Sequence, residues 1–386
     1  MNYKKTKISL LIAINTIAIT SVYAHTFKLG QVGVDLSGFA STGMTVSSST
    51  TPYAIPGHGT VDNHPNFATP SLLGLQLSAD LGSGFSAVGQ VVANGDSTNG
   101  HSAFNLTTPW LYLAYKVNSN LRVSAGRMQL PSYLYSQQID VGYSYPYAFL
   151  PNEVYRIIPF YSFNGIKADY TFDLNQNWQL TLSPFYGQND FKYDAMMRLN
   201  PTLQDKITLN AKAYNLIGSS IDLNNGSFSL HGAYMFSKVD VGATVQNKTI
   251  NRKGINAQFL SLGANWNIHN LMLSTEIAYR KADPMASLLG EYITVGYSTH
   301  NWLPYISIAN LHTTNSDTLN NPQNWPTEIP ENQTTLSIGL NRYIAQNIVL
   351  KGEYSYIMPH NGQSGLFYGI PNGNVSMLTL SASVVF

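Results

Sequence analysis

The run GHGTVDNHP, residues 57–65, gathers His58, Asp62 and His64, side-chain types that can ligate zinc. Their spacing is irregular, the chain has no cysteine, and no third strong ligand stands nearby. A metal site is therefore not expected. His231 is flanked by serines on its segment, yet nothing marks a nucleophile within reach of a base. With no glycine-rich phosphate loop either, the sequence predicts neither an enzyme nor a cofactor. A different chemistry is suggested by Arg127, Asp140, Glu153, Arg156, Lys167 and Asp169. These charges lie in or beside the stretch QIDVGYSYPYAFLPNEVYRIIPF, Gln138 to Phe160. Opposite charges grouped around one irregular segment can sort ions and polar solutes at the narrow point of a water-filled passage.

Positioning such a segment requires a frame, and composition limits the choice. Charged residues make up 11% of the 386-residue chain, well below the usual quarter or so. The N-terminus, MNYKKTKISLLIAINTIAITSVYA, has a positive region, an apolar run and a small-residue cleavage site. It reads as a secretory signal peptide over residues 1–24. Lys4, Lys5 and Lys7 are its only charges, so the 21 basic residues fall to 18 against 20 acidic ones in the exported chain. That balance argues against a nucleic-acid partner. No later segment has 18 consecutive apolar residues, which excludes helical membrane spans.

Segments of about ten residues instead alternate with period two. MLTLSASVVF sets Leu378, Leu380, Ala382, Val384 and Phe386 against Thr379, Ser381 and Ser383. LLGLQLSADL sets Leu73, Leu75, Leu77 and Leu81 against Gln76, Ser78 and Asp80. Such strands suit a barrel with lipid on one face and a wet lumen on the other, and closure leaves no edge unpaired in lipid. Short turns alternate with long connections at 41–69, 95–107, 129–162, 188–208, 240–255, 281–288, 312–332 and 358–373. The fold expected for residues 25–386 is therefore all-β: a transmembrane antiparallel β-barrel of about 16 strands, with 14 or 18 as the neighbouring counts. Val239–Lys248 could be an additional strand, but is assigned to the upper part of a hairpin to preserve the short/long rhythm. Trp178, Trp266 and Trp302 fall beside short turns, where an interfacial girdle belongs, and Trp110 is placed at the opposite interface.

With its signal peptide, sixteen-segment rhythm and SASVVF ending, the chain resembles a Gram-negative outer-membrane porin. Local matches are AGRMQLP (Ala125–Pro131), DVGYSYPY (Asp140–Tyr147), PNEVY (Pro151–Tyr155) and LKGEYSY (Leu350–Tyr356). The resemblance implies passive diffusion of small hydrophilic solutes and ions across the bacterial outer membrane. It also implies a homotrimer surrounded by outer-membrane lipid, a terminal Phe386 read by the outer-membrane assembly machinery, and a third loop, 129–162, folded into the lumen. The acidic Pro-Glu-Phe-Gly-Gly motif of the enteric porins' third loop is absent. An alternative is a structural or adhesive barrel, its lumen plugged, binding host or phage.

Parity assigns the pore charges. The constriction is expected to hold Arg127, Asp140, Glu153, Arg156, Lys167 and Asp169, with Arg127 and Lys167 opposing Asp140 or Glu153. The lumen wall is expected to hold Lys116, Arg122, Glu276, Arg280, Lys351 and Glu353, solvated or paired across strands. Arg127 shares the parity of the lipid-facing Leu121, Val123 and Ala125. Either a bulge at Gly126 turns it inward, the reading adopted, or it sits above the lipid at the strand end. The loop tyrosines Tyr133, Tyr135, Tyr143, Tyr145, Tyr147 and Tyr155 could form a stacking track for sugars, but packing of the loop against the wall is the reading adopted.

Overall fold

The computed structural model describes residues 25–30, 32–96, 103–199, 203–245, 248–320, 327–360 and 362–386. The expected signal peptide lies outside the described residues.

The strands run β1 (His25–Leu29), β2 (Val32–Ser47), β3 (Tyr53–Ile55), β4 (Gly59–Val61), β5 (Leu72–Gly82), β6 (Phe85–Asp96), β7 (Ala103–Lys116), β8 (Leu121–Gln129), β9 (Ser162–Asp173) and β10 (Gln179–Arg198). They continue as β11 (Gln204–Asn224), β12 (Phe228–Val245), β13 (Lys248–Ile268), β14 (Leu271–Lys281), β15 (Leu288–Tyr297), β16 (Trp302–Thr313), β17 (Thr327–Glu328), β18 (Gln333–Ala345), β19 (Ile348–Pro359) and β20 (Val375–Val385). Sixteen of these, all but β1, β3, β4 and β17, form a closed antiparallel barrel. Closure is made by β2, whose Gly33–Ser41 pairs with β5 while Phe39–Ser47 pairs with β20. β1 doubles back on β2 below the end of β20.

The alternation is inside-out. Leu73, Leu75, Leu77, Leu378 and Leu380 are exposed on the outer surface, whereas Thr379 and Ser383 are buried. This is the pattern for strands that meet lipid outside. Three short turns are closed by an asparagine accepting two backbone N–H groups. Asn118 serves Asn120 and Leu121, Asn175 serves Asn177 and Trp178, and Asn225 serves Ser227 and Phe228. An Asx turn of this kind mimics a backbone turn and reverses the chain within a few residues.

Two of the expected long connections contain more strand than the sequence predicted. β10 pairs with β11 out to Arg198↔Gln204, and β12 with β13 out to Val245↔Lys248. Val239–Val245 thus continues β12 as the upper part of a hairpin, as assigned, with residues 246–247 outside the described residues. Above the lipid both faces of these ladders can be polar, so the period-two signal fades although pairing continues. Trp178, Trp266 and Trp302 do lie at the short-turn end, Trp302 beneath the Arg342 guanidinium at 4.7 Å. Trp110 differs from expectation. It pairs with the inward Gln90 and donates to Gln129 Oε1 at 3.0 Å, so it belongs to the interior.

One row of the wall has special geometry. Gly126, Gly165 and Gly187 stand side by side on β8, β9 and β10. Gly126 has φ +134°, and a Cβ on Gly165 would fall on the Tyr186 carbonyl oxygen. We predict that Gly165→Ala costs on the order of 1–3 kcal/mol or more through overpacking. Gly33→Ala, which meets nothing within 4 Å, should be neutral. The yield of folded barrel by heat-modifiable electrophoretic mobility checks this; equal yields would refute it.

Candidate functional site

β8 ends at Gln129, and the chain does not reverse over the rim. Residues 130–161 enter the barrel, making short helical turns at Ser136–Gln138, Gly142–Ser144 and α1 (Asn152–Tyr155). Pro146, Pro151 and Pro159 interrupt any regular ladder. An irregular backbone at this depth must find its hydrogen bonds in protein or trapped water, and the inner wall supplies them. The Lys351 ammonium donates to the carbonyls of Gly142, Tyr145 (2.6 Å) and Tyr147 (2.7 Å), and lies 4.7 Å from the centre of the Tyr145 ring. Glu353 accepts from Ala148 N at 3.0 Å and from Tyr305 Oη at 2.5 Å. Glu276 accepts from Leu134 N at 2.8 Å and Tyr155 Oη at 2.9 Å. Arg280 donates to Ile157 O at 3.0 Å, Asn341 to Pro146 O at 2.9 Å, and Ser261 to Ser132 O at 2.6 Å.

Four residues expected as solvated wall charges, Glu276, Arg280, Lys351 and Glu353, are therefore anchors of the inward loop. Glu276, Lys351 and Glu353 are almost fully buried. Parity placed them inward correctly; the loop, rather than water, meets them there. Glu153 behaves alike. It is 2% exposed and accepts from Gln333 Nε2 at 2.6 Å and from Thr335 Oγ1. The tyrosines pack as expected: Tyr133, Tyr135, Tyr145, Tyr147 and Tyr155 join one buried apolar cluster with Phe163, Phe185, Phe259, Tyr292 and Tyr305. Their hydroxyls find partners, Tyr147 on Thr294 at 2.8 Å and Tyr135 on Asn265 at 3.0 Å. Tyr143 reaches the Gln346 carbonyl at 2.6 Å, so the loop descends to the short-turn end.

The remaining charges do not meet the loop in this way. Lys167 pairs with Asp169 at 3.0 Å, and Arg122 pairs with the same carboxylate at 3.2 Å. Lys116 is exposed opposite Arg122. Asp140, half-buried on the loop, has its carboxyl pushed up to about 6 by burial. Arg156, on the loop itself, pairs with Glu331 at 3.2 Å. Arg127 departs from expectation. The β7–β8–β9 ladder runs through Gly126 without a register shift, leaving Arg127 on the outward row opposite Leu111 and Asn164 at the strand end. Its guanidinium donates to Thr108 O at 2.8 Å and Asn189 Oδ1 at 3.3 Å, not to Asp140 or Glu153. The positive-φ glycine absorbs local twist without moving the side chain across the sheet.

Several anchors escaped sequence reasoning. Tyr305, Gln333, Thr335 and Asn341 share the inward parity of their strands and could have been found by it, whereas Glu331, the partner of Arg156, lies in irregular sequence with no such signal. His231 bonds Asp222 at 2.7 Å, and His64 bonds Asp62 at 3.2 Å on the exposed surface.

The chain is thus a sixteen-stranded closed barrel with a long loop folded inward. The family model for Gram-negative porins matches residues 16–361. The chain belongs to the Gram-negative porin family. Solved structures of the same fold include an anion-selective porin from Comamonas acidovorans, with TM-score 0.57, 13% identity, and coverage of 92% of this chain and 100% of that one. The outer-membrane channel DcaP of Acinetobacter baumannii aligns with TM-score 0.55, 12% identity, and 95% and 100% coverage. Salmonella typhi OmpF aligns with TM-score 0.54, 14% identity, and 94% and 100% coverage. No curated protein sequence matches the chain. This porin is an outer-membrane channel for passive diffusion.

In such a channel the anchors set how much of the lumen the loop fills. We predict that Lys351→Met, which strips three loop carbonyls of their donor, weakens docking by about 3 kcal/mol or more, since a buried group left without its hydrogen bond costs on the order of 1–3 kcal/mol. Single-channel recordings should show larger and noisier currents than wild type; an unchanged trace would reject the anchoring role.

Proposed function

We propose that small hydrophilic solutes and ions cross this porin between the inward loop and the β7–β9 side of the wall. The observation that carries this is that most of the loop's hydrogen bonds to the wall lie on one side, while Val141 packs on Phe39, Leu72 and Val92 of β2, β5 and β6 and leaves β7–β9 clear. Asn265, Glu276, Thr294, Tyr305, Thr335, Asn341 and Lys351 belong to β13–β19. Lys116, Arg122, Lys167 and Asp169, on β7–β9, pair among themselves or stay exposed. In this reading Asp140, Lys167 and Asp169 form the narrow point, Lys116 and Arg122 line its exit, and Arg156 guards the approach. Arg127 and Glu153 drop out of the constriction.

The protein acts as a channel and not as an enzyme. It is exported by residues 1–24, surrounded by outer-membrane lipid and assembled as a homotrimer, a reading supported by family membership and by one structure of the same fold described as a trimer form. Phe386 serves as the assembly signal. It is held by paired backbone bonds with Gly38, at 2.7 and 2.8 Å, at the barrel seam. A plugged adhesive barrel is not favoured.

The Asp140 carboxyl gives this reading a pH signature. With its pKa raised to about 6, it is neutral at pH 5 and ionised at pH 7. Cation preference, read as reversal potential in a salt gradient, should rise between those pH values in wild type and lose that step in Asp140→Asn. Lys167→Met should shift preference toward cations at both pH values. If neither substitution moves the reversal potential, the passage does not run along this wall.

A further inference from the structure

Above the inward loop, at the long-loop end, lies a cavity of about 420 Å³ lined by loop and upper-strand residues, among them Arg156, Lys192, Glu328, Glu331, Tyr193 and Tyr368. Its volume falls within the roughly 300–1,000 Å³ typical of small-molecule sites. Six charged residues line it: Arg156, Lys192 and Arg280 as cations, and Asp194, Glu328 and Glu331 as anions.

Most of them are already engaged. Arg280 is committed through Nη1 to Ile157 O and through Nη2 to Ala286 O and, at 3.7 Å, Glu328, and its Nε is buried without a partner. Both Glu328 oxygens are occupied, Oε1 by Tyr193 Oη at 3.1 Å and Oε2 by Ala286 N at 2.8 Å. Asp194 accepts from Thr208 at 2.5 Å and Lys206 at 3.3 Å. The others retain capacity. Arg156 bonds both Asp194 O and Glu331 Oε1 through Nη2, with the Tyr368 hydroxyl as its other neighbour. Glu331 is engaged through Oε1, and Lys192 is exposed at the cavity's edge. What remains is a cationic side, Arg156 with Lys192, and an anionic oxygen, Glu331 Oε2, within one walled space. A guanidinium and an ammonium suit a carboxylate, and a carboxylate oxygen suits an ammonium.

The geometry points to this vestibule as a binding subsite for small zwitterionic solutes bearing a carboxylate and an ammonium group, of amino-acid or dipeptide size. The solute's carboxylate faces Arg156 and Lys192, its ammonium faces Glu331, and Tyr193 and Tyr368 flank it. The inference rests on the channel reading, since the subsite would hold solute on the external approach to the constriction.

The test is current block in planar bilayers, with L-alanyl-L-alanine added on the external side. N-acetyl-L-alanine, an anion, and L-alaninamide, a cation, serve as size-matched comparisons. Dialanine should give a saturable block that neither comparison gives. Lys192→Gln, at an exposed position, and Glu331→Gln should each weaken that block on the order of ten-fold relative to the variant's own unblocked current. Equal block by N-acetyl-alanine or alaninamide, no saturable dialanine block in conducting channels, or block unchanged in both variants would overturn the inference. A protein that never conducts would instead sink the channel reading, and this inference with it.

Discussion

The structure depends on one constraint: irregular backbone inside a membrane barrel must be hydrogen-bonded by something other than lipid. Residues 130–161 carry amides and carbonyls into the lumen, interrupted by four prolines, Pro131, Pro146, Pro151 and Pro159. The wall answers with charges. Lys351 collects three carbonyls from one bend of the loop, and Glu276 and Glu353 each take a backbone N–H and a tyrosine hydroxyl. Neither side is tolerable alone. A buried ammonium without acceptors and a buried carbonyl without donors are both costly. Together they define one docked position, and the tyrosine cluster around them supplies apolar area that water would otherwise wet.

Docking to one side of the barrel shapes what is left. With the loop fixed on β13–β19, the β7–β9 wall keeps its small and charged residues for itself. Ser124 there and Ser183 on the adjoining β10 are small, and Asp169 is shared by Lys167 and Arg122. The row Gly126, Gly165 and Gly187 lies on this same stretch, two or three residues below the point where the chain leaves and rejoins the wall. Close approach of three strands at that level is the local price of sending 32 residues, 130–161, inward instead of outward.

Much of this was legible in the sequence, and the limits have physical causes. Sixteen strands could be counted because lipid on one side and the interior on the other impose period-two alternation, and asparagine-rich turns punctuate it. The ladder above the lipid at Phe191–Arg198 falls in an expected long connection because both faces lack a fixed apolar rule there, and Val239–Val245 is placed in a hairpin top only by the short/long rhythm. Trp110 was misplaced because an aromatic near a strand start reads as an interfacial anchor, and only its pairing with Gln90 and its bond to Gln129 reveal the interior. Arg127 was misread for a related reason. A glycine before an unfavourable charge suggested a bulge, yet a positive φ can twist a strand without changing its register.

The wall charges are the more instructive case. Alternation correctly assigned Glu276, Lys351 and Glu353 to the inner face, but an inner face can meet two different surroundings. Water solvates a charge with no demand on sequence elsewhere; a docked loop must present a matching carbonyl or N–H at a fixed distance. The composition of residues 130–161 held the discriminating information. A segment rich in tyrosine and proline, with few charges of its own, cannot remain in an aqueous lumen without covering its apolar area, and its backbone must then draw donors and acceptors from the wall. A charged residue on a barrel's polar face is therefore better read together with the composition of the loop that could reach it. By that reading, Lys167 and Asp169 differ from Lys351 and Glu353 because they sit where the loop turns away.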